Sequence, residues 1–244
     1  MRIIACILLV VLMATGAAAQ EALPLEFDTF VSGTLTNEVF EVTYSFKAES
    51  GQLVLIEMLP KPGTYDLDPA LLLRDSSGKV LAVNDDFDFP TSLIAIKLPA
   101  NDSYTVLATR SGGSTGSSTG DYVLRARLVQ PLAAGQTVEA TIFSDLETAV
   151  AERYVLMPEA SGALEITFSQ QPGELYASLE LSDWVGENEF VKRLFDLSDT
   201  AGLSRATLAV EVEAGKLYIL TVDKAPFSFV FGDEITATVK ITVN

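Results

Sequence analysis

Apolar and polar residues alternate with period two along most of this chain. Val42, Tyr44, Phe46 and Ala48 alternate with Glu41, Thr43, Ser45 and Lys47, and Tyr122, Leu124, Ala126 and Leu128 alternate with Asp121, Val123, Arg125 and Arg127. The final segment is the cleanest case, with Ile235, Ala237, Val239, Ile241 and Val243 set against Glu234, Thr236, Thr238, Lys240 and Thr242. Successive side chains of a strand point to opposite faces, so this pattern predicts strands with one face buried. Helical spacing is weak and confined to Leu146 to Tyr154. The chain is therefore expected to be all-β.

The second half repeats the punctuation of the first. Ser50-Gly51 matches Ser161-Gly162, each ahead of an apolar run, and the stretch from Leu67 to Asp75 matches that from Leu175 to Asp183. Gly78 falls on Gly186, Ala100 and Tyr104 on Ala214 and Tyr218, and Gly120-Asp121 on Gly232-Asp233. The offsets drift only from 108 to 114 residues, as two related units with small loop changes would give. Each unit holds about seven or eight short strands, the pattern of an antiparallel sandwich. The units are expected at residues 24–130 and 136–244, with Pro131 to Gly135 as linker. Ser111 to Gly120, SGGSTGSSTG, reads as a flexible, solvated connection within the first unit.

At the N-terminus, Met1-Arg2, an apolar stretch from Ile3 to Thr15 and Ala17-Ala18-Ala19 have the three parts of a secretory signal, with cleavage expected after Ala19. The apolar stretch is short for a membrane span, which needs about 20 residues, and no transmembrane segment is expected in the mature chain. The one cysteine, Cys6, lies inside the signal, so an exported, periplasmic or secreted, product would be stabilised by core burial without disulfides.

The net charge is −17, with 33 acidic against 16 basic residues, which makes nucleic acid an improbable partner because phosphate contact needs clustered Lys and Arg. With no histidine in the chain and no cysteine after the signal, Ser-His-Asp and Cys-His mechanisms and the usual zinc sites cannot be built. A carboxylate-pair hydrolase survives on residue supply, but nothing marks one. No catalytic residue is assigned, and the protein is not expected to be an enzyme.

One region carries candidate chemistry. Ala70 to Asp75 and Lys79 to Asn84 are apolar runs joined by the turn-forming cluster Asp75-Ser76-Ser77-Gly78. A turn centred on Ser76 and Ser77 would set Asp68 opposite Asp85, with Asp66 near Phe87. Facing carboxylates repel; Ca2+, which takes six to eight oxygen ligands, would convert the repulsion into coordination. The candidate ligands are Asp66, Asp68, Asn84, Asp85, Asp86 and Asp88. The alternative is ordinary turn chemistry, because Asp and Asn side chains bond local backbone amides. In the second unit, an offset of 108 puts Tyr176 at the place of Asp68 and Arg193 at that of Asp85, so one site is expected rather than two. Phe87 and Phe89, interleaved with these acids, and Trp184 in the corresponding turn of the second unit are candidate ligand contacts; the alternative is that they plug the sandwich edge.

Gly51-Gln52, Leu67-Asp68-Pro69 before Leu71-Leu72-Leu73, Gly78, Asn84-Asp85-Asp86, Leu98-Pro99-Ala100, Tyr104 and Gly120-Asp121-Tyr122 together resemble the bacterial pre-peptidase C-terminal domain. That family is similar to the collagen-binding domain of clostridial collagenases. The resemblance covers residues 30 to 130, with 132 to 244 as a degenerate second copy. It implies two tandem antiparallel jelly-roll β-sandwiches. The family usually accompanies a catalytic domain, and this chain shows none. The expected function is non-catalytic binding of an extracytoplasmic protein or polysaccharide. The alternatives are a structural spacer in an envelope assembly and, less favoured, a carboxylate-based hydrolase.

Overall fold

The computed structural model describes residues 21–61, 66–87, 90–143, 151–171, 177–183, 192–196, 205–224 and 236–243. The expected signal, residues 1–19, lies outside the described residues. The architecture is all-β: among the described residues the one helical segment is a 3₁₀ turn at Gly113–Thr115. Of the stretch with weak helical spacing, residues 152 to 154 belong instead to a strand, and 146 to 150 lie outside the described residues.

The first half comprises β1 (Leu23–Pro24), β2 (Phe30–Leu35), β3 (Glu41–Ala48), β4 (Leu53–Pro60), β5 (Pro69–Arg74), β6 (Val80–Asn84), β7 (Ser92–Lys97), β8 (Asp102–Arg110) and β9 (Gly120–Val129). The second comprises β10 (Thr137–Phe143), β11 (Glu152–Leu156), β12 (Gly162–Gln171), β13 (Ala177–Asp183), β14 (Lys192–Asp196), β15 (Arg205–Val212), β16 (Tyr218–Lys224) and β17 (Thr236–Val243).

Four sheets form. In the first half they run β1-β3-β8-β5-β6 and β2-β9-β4-β7; in the second, β11-β16-β13-β14 and β10-β17-β12-β15. Leaving aside the short parallel β1, each half orders its eight strands alike, in the two four-stranded antiparallel sheets of a jelly roll. Even the register corresponds. Leu71 pairs with Ala108 in the first sandwich and Leu179 with Val222 in the second, partners that lie 108 and 114 residues further along.

Each sandwich encloses its own core. Tyr44, Phe46, Val54, Ile56, Met58, Leu71, Leu73, Tyr104 and Tyr122 fill the first; Leu156, Ile166, Phe168, Tyr218, Leu220 and Val222 fill the second. These are the inward positions of the alternation. Close packing at one point excludes a side chain: a Cβ on Gly33 would collide with the ring and hydroxyl of Tyr122, whose oxygen lies 2.8 Å from that of Tyr44.

β4 departs from the alternation. Its inward side chains Val54, Ile56 and Met58 and its outward ones Leu53, Leu55 and Glu57 are all buried. Leu53 and Leu55 of the outward set, with Phe87, Leu93 and Ala95, pack against Val155 of β11 and Ile219 of β16 in a third apolar cluster, between the sandwiches. The joint is pinned again at Leu132, whose amide donates to the Val155 carbonyl at 2.8 Å, and at Gly135, whose amide donates to Val243.

The loop after β8 is solvated, with Gly112, Ser114, Thr115 and Ser117 exposed, but it is organised around one buried side chain. Arg110 is buried, and its guanidinium donates to the carbonyls of Gly113 and Ser118 and to Asn37 Oδ1, each at 3.0 Å. A buried cation needs such acceptors, and the loop curls around it to supply them.

Candidate functional site

The β5–β6 hairpin closes differently from the symmetric turn that the sequence suggests. The Gly78 amide donates to the Asp75 carbonyl and the Asp75 amide to the Lys79 carbonyl, both at 3.0 Å. Gly78 has φ +83°, the left-handed conformation of a three-residue hairpin loop with a bulge. Asp75 Oδ1 caps the turn from below, accepting from the Ser77 hydroxyl and from the amides of Ser77 and Lys79. A second irregularity follows between Leu73 and Arg74, so the ladder continues as Leu73↔Ala82, Leu72↔Val83 and Leu71↔Asn84. The two extra residues slide β6, and Asp85 follows Asn84 beyond the end of the ladder. The expected direct pairing of Asp68 with Asp85 is thereby corrected.

The acids still converge. Burial, and then the charges of Asp86 and Asp85, push the Asp68 carboxyl above its ordinary value. Burial and Asp85 do the same to Asp86. Asp68 Oδ1 is buried without a hydrogen-bond partner, whereas the Asp68 carbonyl is held by the Ser111 amide at 2.9 Å. Asn84 is already engaged: its Oδ1 accepts from the Leu93 amide at 2.8 Å, tying the β6 edge to β7. The buried Ser92 hydroxyl lies beside it, 2.7 Å from the Pro69 carbonyl and 3.1 Å from that of Asn84. Asp66, Asp85 and Asp86 are exposed, and Asp88 lies outside the described residues. Among the described residues no three acids stand close enough to hold a metal ion. The orphaned Asp68 oxygen suits a cation, but the described carboxylates alone do not complete its shell.

The candidate contact Phe87 is corrected by its position: it is 6% exposed and belongs to the cluster between the sandwiches. Phe89 and Trp184 lie outside the described residues, as does Tyr176. Arg193 pairs with Ser182 across the β13–β14 ladder, level with the pairing of Arg74 with Val80 in the first sandwich. It therefore does not stand at the place of Asp85, and residues 197–204, directly after β14, lie outside the described set.

The alternation hides a second constellation. Glu57, 1% exposed, accepts from Arg125 Nε at 2.8 Å through Oε1 and from Arg153 at 2.8 Å through Oε2. Arg127 stands 3.8 Å from Glu57 Oε1 and 3.6 Å from Glu152. Burial raises the Glu57 carboxyl, but Arg153, Arg125 and Arg127 outweigh it and hold the group below its ordinary value. Arg125 and Arg127 occupy the polar face of β9, and their alternation alone reads as a solvated surface. The signal that points elsewhere is Glu57 itself, a lone charge within the apolar run Leu53–Pro60.

A cleft of about 690 Å³ opens at the joint end of the second sandwich. Pro131, Leu132, Leu156, Met157, Pro158, Leu164, Val212 and Val243 line it, with Glu159 as the one ionisable residue among the described lining. Its described lining offers apolar surface and backbone groups, with no acid–base pair and no aromatic ring among the described residues.

No family model matches the chain, and no curated protein matches it. Among solved structures, it is similar to a protein of Eubacterium rectale thought to be secreted, at 12% identity over 93% of this chain and 79% of that one, with a TM-score of 0.33. The tandem CBM51 modules of a family 98 glycoside hydrolase from Streptococcus pneumoniae match at 10% identity over 89% and 85%, with a TM-score of 0.27. An archaeal virus protein with a triple jelly-roll fold matches at 11% identity over 89% and 59%, with a TM-score of 0.24. Superpositions at such scores assign neither family nor activity.

Proposed function

We propose that the protein is a non-catalytic, exported binding protein of two jelly-roll sandwiches that holds a segment of another protein. The observation that carries this reading is the cleft beside the joint: its described walls are apolar with a single carboxylate, which suits holding a ligand better than moving a proton between two groups. A polysaccharide is the less favoured ligand, because none of the described lining residues offers a ring for a sugar face to stack on. The order of residues shared with the pre-peptidase C-terminal domain supports an accessory role, and the residues from Met1 to Ala19 support export.

Met157→Arg, which puts a cation on the apolar wall, tests the site. The wild type and this variant are compared for capture of extracytoplasmic proteins and for binding to a panel of polysaccharides. Protein capture that the variant abolishes supports the reading; polysaccharide binding that it abolishes transfers the site to sugars. Absence of binding in every arm leaves the spacer role and sinks the proposal. Intact mass of the protein recovered from its host tests export: a cytoplasmic species that still begins at Met1 refutes it.

A second observation, the unpartnered Asp68 Oδ1 beside Asp86 and Asp85, favours Ca2+ at the acidic turn. Asp68, Asp85 and Asp86 would be its carboxylate ligands, with further oxygens from Asp66, Asn84, Asp88, backbone or water.

A further inference from the structure

We propose that the second sandwich clamps the acid-bearing turn of the first, through Phe87. Asp85 and Asp86 are exposed and follow the edge strand β6, so the turn has little burial of its own until Phe87. The Phe87 ring passes out of the first sandwich into the apolar cluster that contains Val155 and Ile219 of the second. The Arg153 guanidinium lies over that ring, 5.6 Å from its centroid. Arg153 is not free to swing away: it is 3% exposed and donates to the buried Glu57 at 2.8 Å. The turn closes behind the ring, where the Phe87 amide donates to the Thr91 carbonyl at 3.0 Å.

The direction of force follows from charge. Asp85 and Asp86 repel Asp68 and would carry the turn outward, toward water. Burial of Phe87 and its contact with Arg153 hold it inward. The second sandwich thus positions acids that it does not itself supply, and Phe87 and Arg153 are positioning residues for them. This holds whatever the turn or the cleft binds.

Amide exchange in the full chain, resolved by residue, tests the clamp. Arg153→Met keeps an apolar stem and removes the cation. The Phe87 amide should then exchange about ten-fold faster, the order of factor a desolvated cation–π contact supplies. The Gly78 amide, at the far end of the same hairpin, should keep its rate. Phe168→Leu, which thins the core of the second sandwich away from the joint, should leave the ratio of the two rates as in the wild type. Val155→Ala trims the same clamp without touching the ion cluster, and should raise exchange at Phe87 even if Arg153→Met does not fold. Equal responses at Phe87 and Gly78, or unchanged exchange at Phe87 in a folded clamp variant, would overturn the proposal.

Discussion

Arg153 of the second sandwich donates to Glu57 Oε2 of the first at 2.8 Å, and both side chains are almost wholly excluded from water. Desolvating either charge alone is expensive, so the contact persists only while each has the other. Glu57→Gln leaves Arg125, Arg127 and Arg153 facing one another without their shared carboxylate. The expected loss is about 3–5 kcal/mol, read by denaturant unfolding. Glu57→Leu combined with Arg153→Met should recover part of that loss, since a packed apolar pair carries no desolvation penalty. A Glu57→Gln protein as stable as the wild type would show that the cluster contributes nothing net.

The same cluster sets the response to acid. Glu57 has a depressed folded value, so its contribution is fully present above the ordinary carboxylate range and is lost as pH falls through that lower value. Asp68 and Asp86 have raised values with the opposite sign: their favourable contribution exists below the ordinary range and is lost as pH rises through the raised values. Stability should therefore peak between the raised aspartate values and the depressed Glu57 value. Unfolding curves against pH check this. Asp68→Asn should flatten the limb above the peak, and Glu57→Gln should flatten the one below.

Much of this fold was legible in the alternation, because a strand with one wet face must alternate. What was not legible follows from the second covering layer. Arg125 and Arg127 are written as a solvent face, and nothing local says that β11 and β16 lie across it. Phe87 misleads for the same reason: a ring between two aspartates reads as exposed until another sandwich supplies its pocket. The hairpin register was lost to two extra residues, one at Gly78, whose left-handed backbone a symmetric turn lacks, and one at the irregularity opposite Leu73 and Arg74. Arg110 was silent because an arginine after an apolar strand gives no sign that a Ser- and Gly-rich loop will wrap it.

That loop depends on one side chain. Arg110→Lys keeps the charge but cannot reach Gly113, Ser118 and Asn37 together, because an ammonium lacks the planar fork. A destabilisation of about 1–3 kcal/mol is expected from the acceptors left unpaired, together with new proteolytic cleavage between Ser111 and Ser118. A variant with the wild-type cleavage pattern would show that the loop holds its shape without the guanidinium.

Gly33 tests the packing of the first core. An alanine there meets the ring and hydroxyl of Tyr122, which is buried at the centre of the sandwich and bonded to Tyr44. The ring cannot retreat without displacing its neighbours, so Gly33→Ala should cost about 1–3 kcal/mol by overpacking. Adding Tyr122→Leu should make the alanine cheaper than it is alone, a coupling that a thermodynamic cycle measures. Additive costs would place the strain elsewhere.

Calcium provides the last test. Burial and the neighbouring charges of Asp86 and Asp85 disfavour the ionised Asp68 carboxyl, so an uncharged side chain there should stabilise the ion-free protein. An ion should reverse that preference by giving the unpartnered Oδ1 a ligand bond. For a site with Kd of about 1 mM, as in extracellular modules, 10 mM Ca2+ stabilises by about 1.4 kcal/mol. In a chain of this size that raises Tm by about 3–6 °C. Calorimetric melts with 10 mM Ca2+ and with chelator measure the shift. Asp68→Asn should melt higher than the wild type in chelator and should not respond to Ca2+. Superimposable wild-type melts would reduce the acidic turn to local backbone capping, with the repulsion among Asp68, Asp85 and Asp86 borne by the clamp on Phe87 alone.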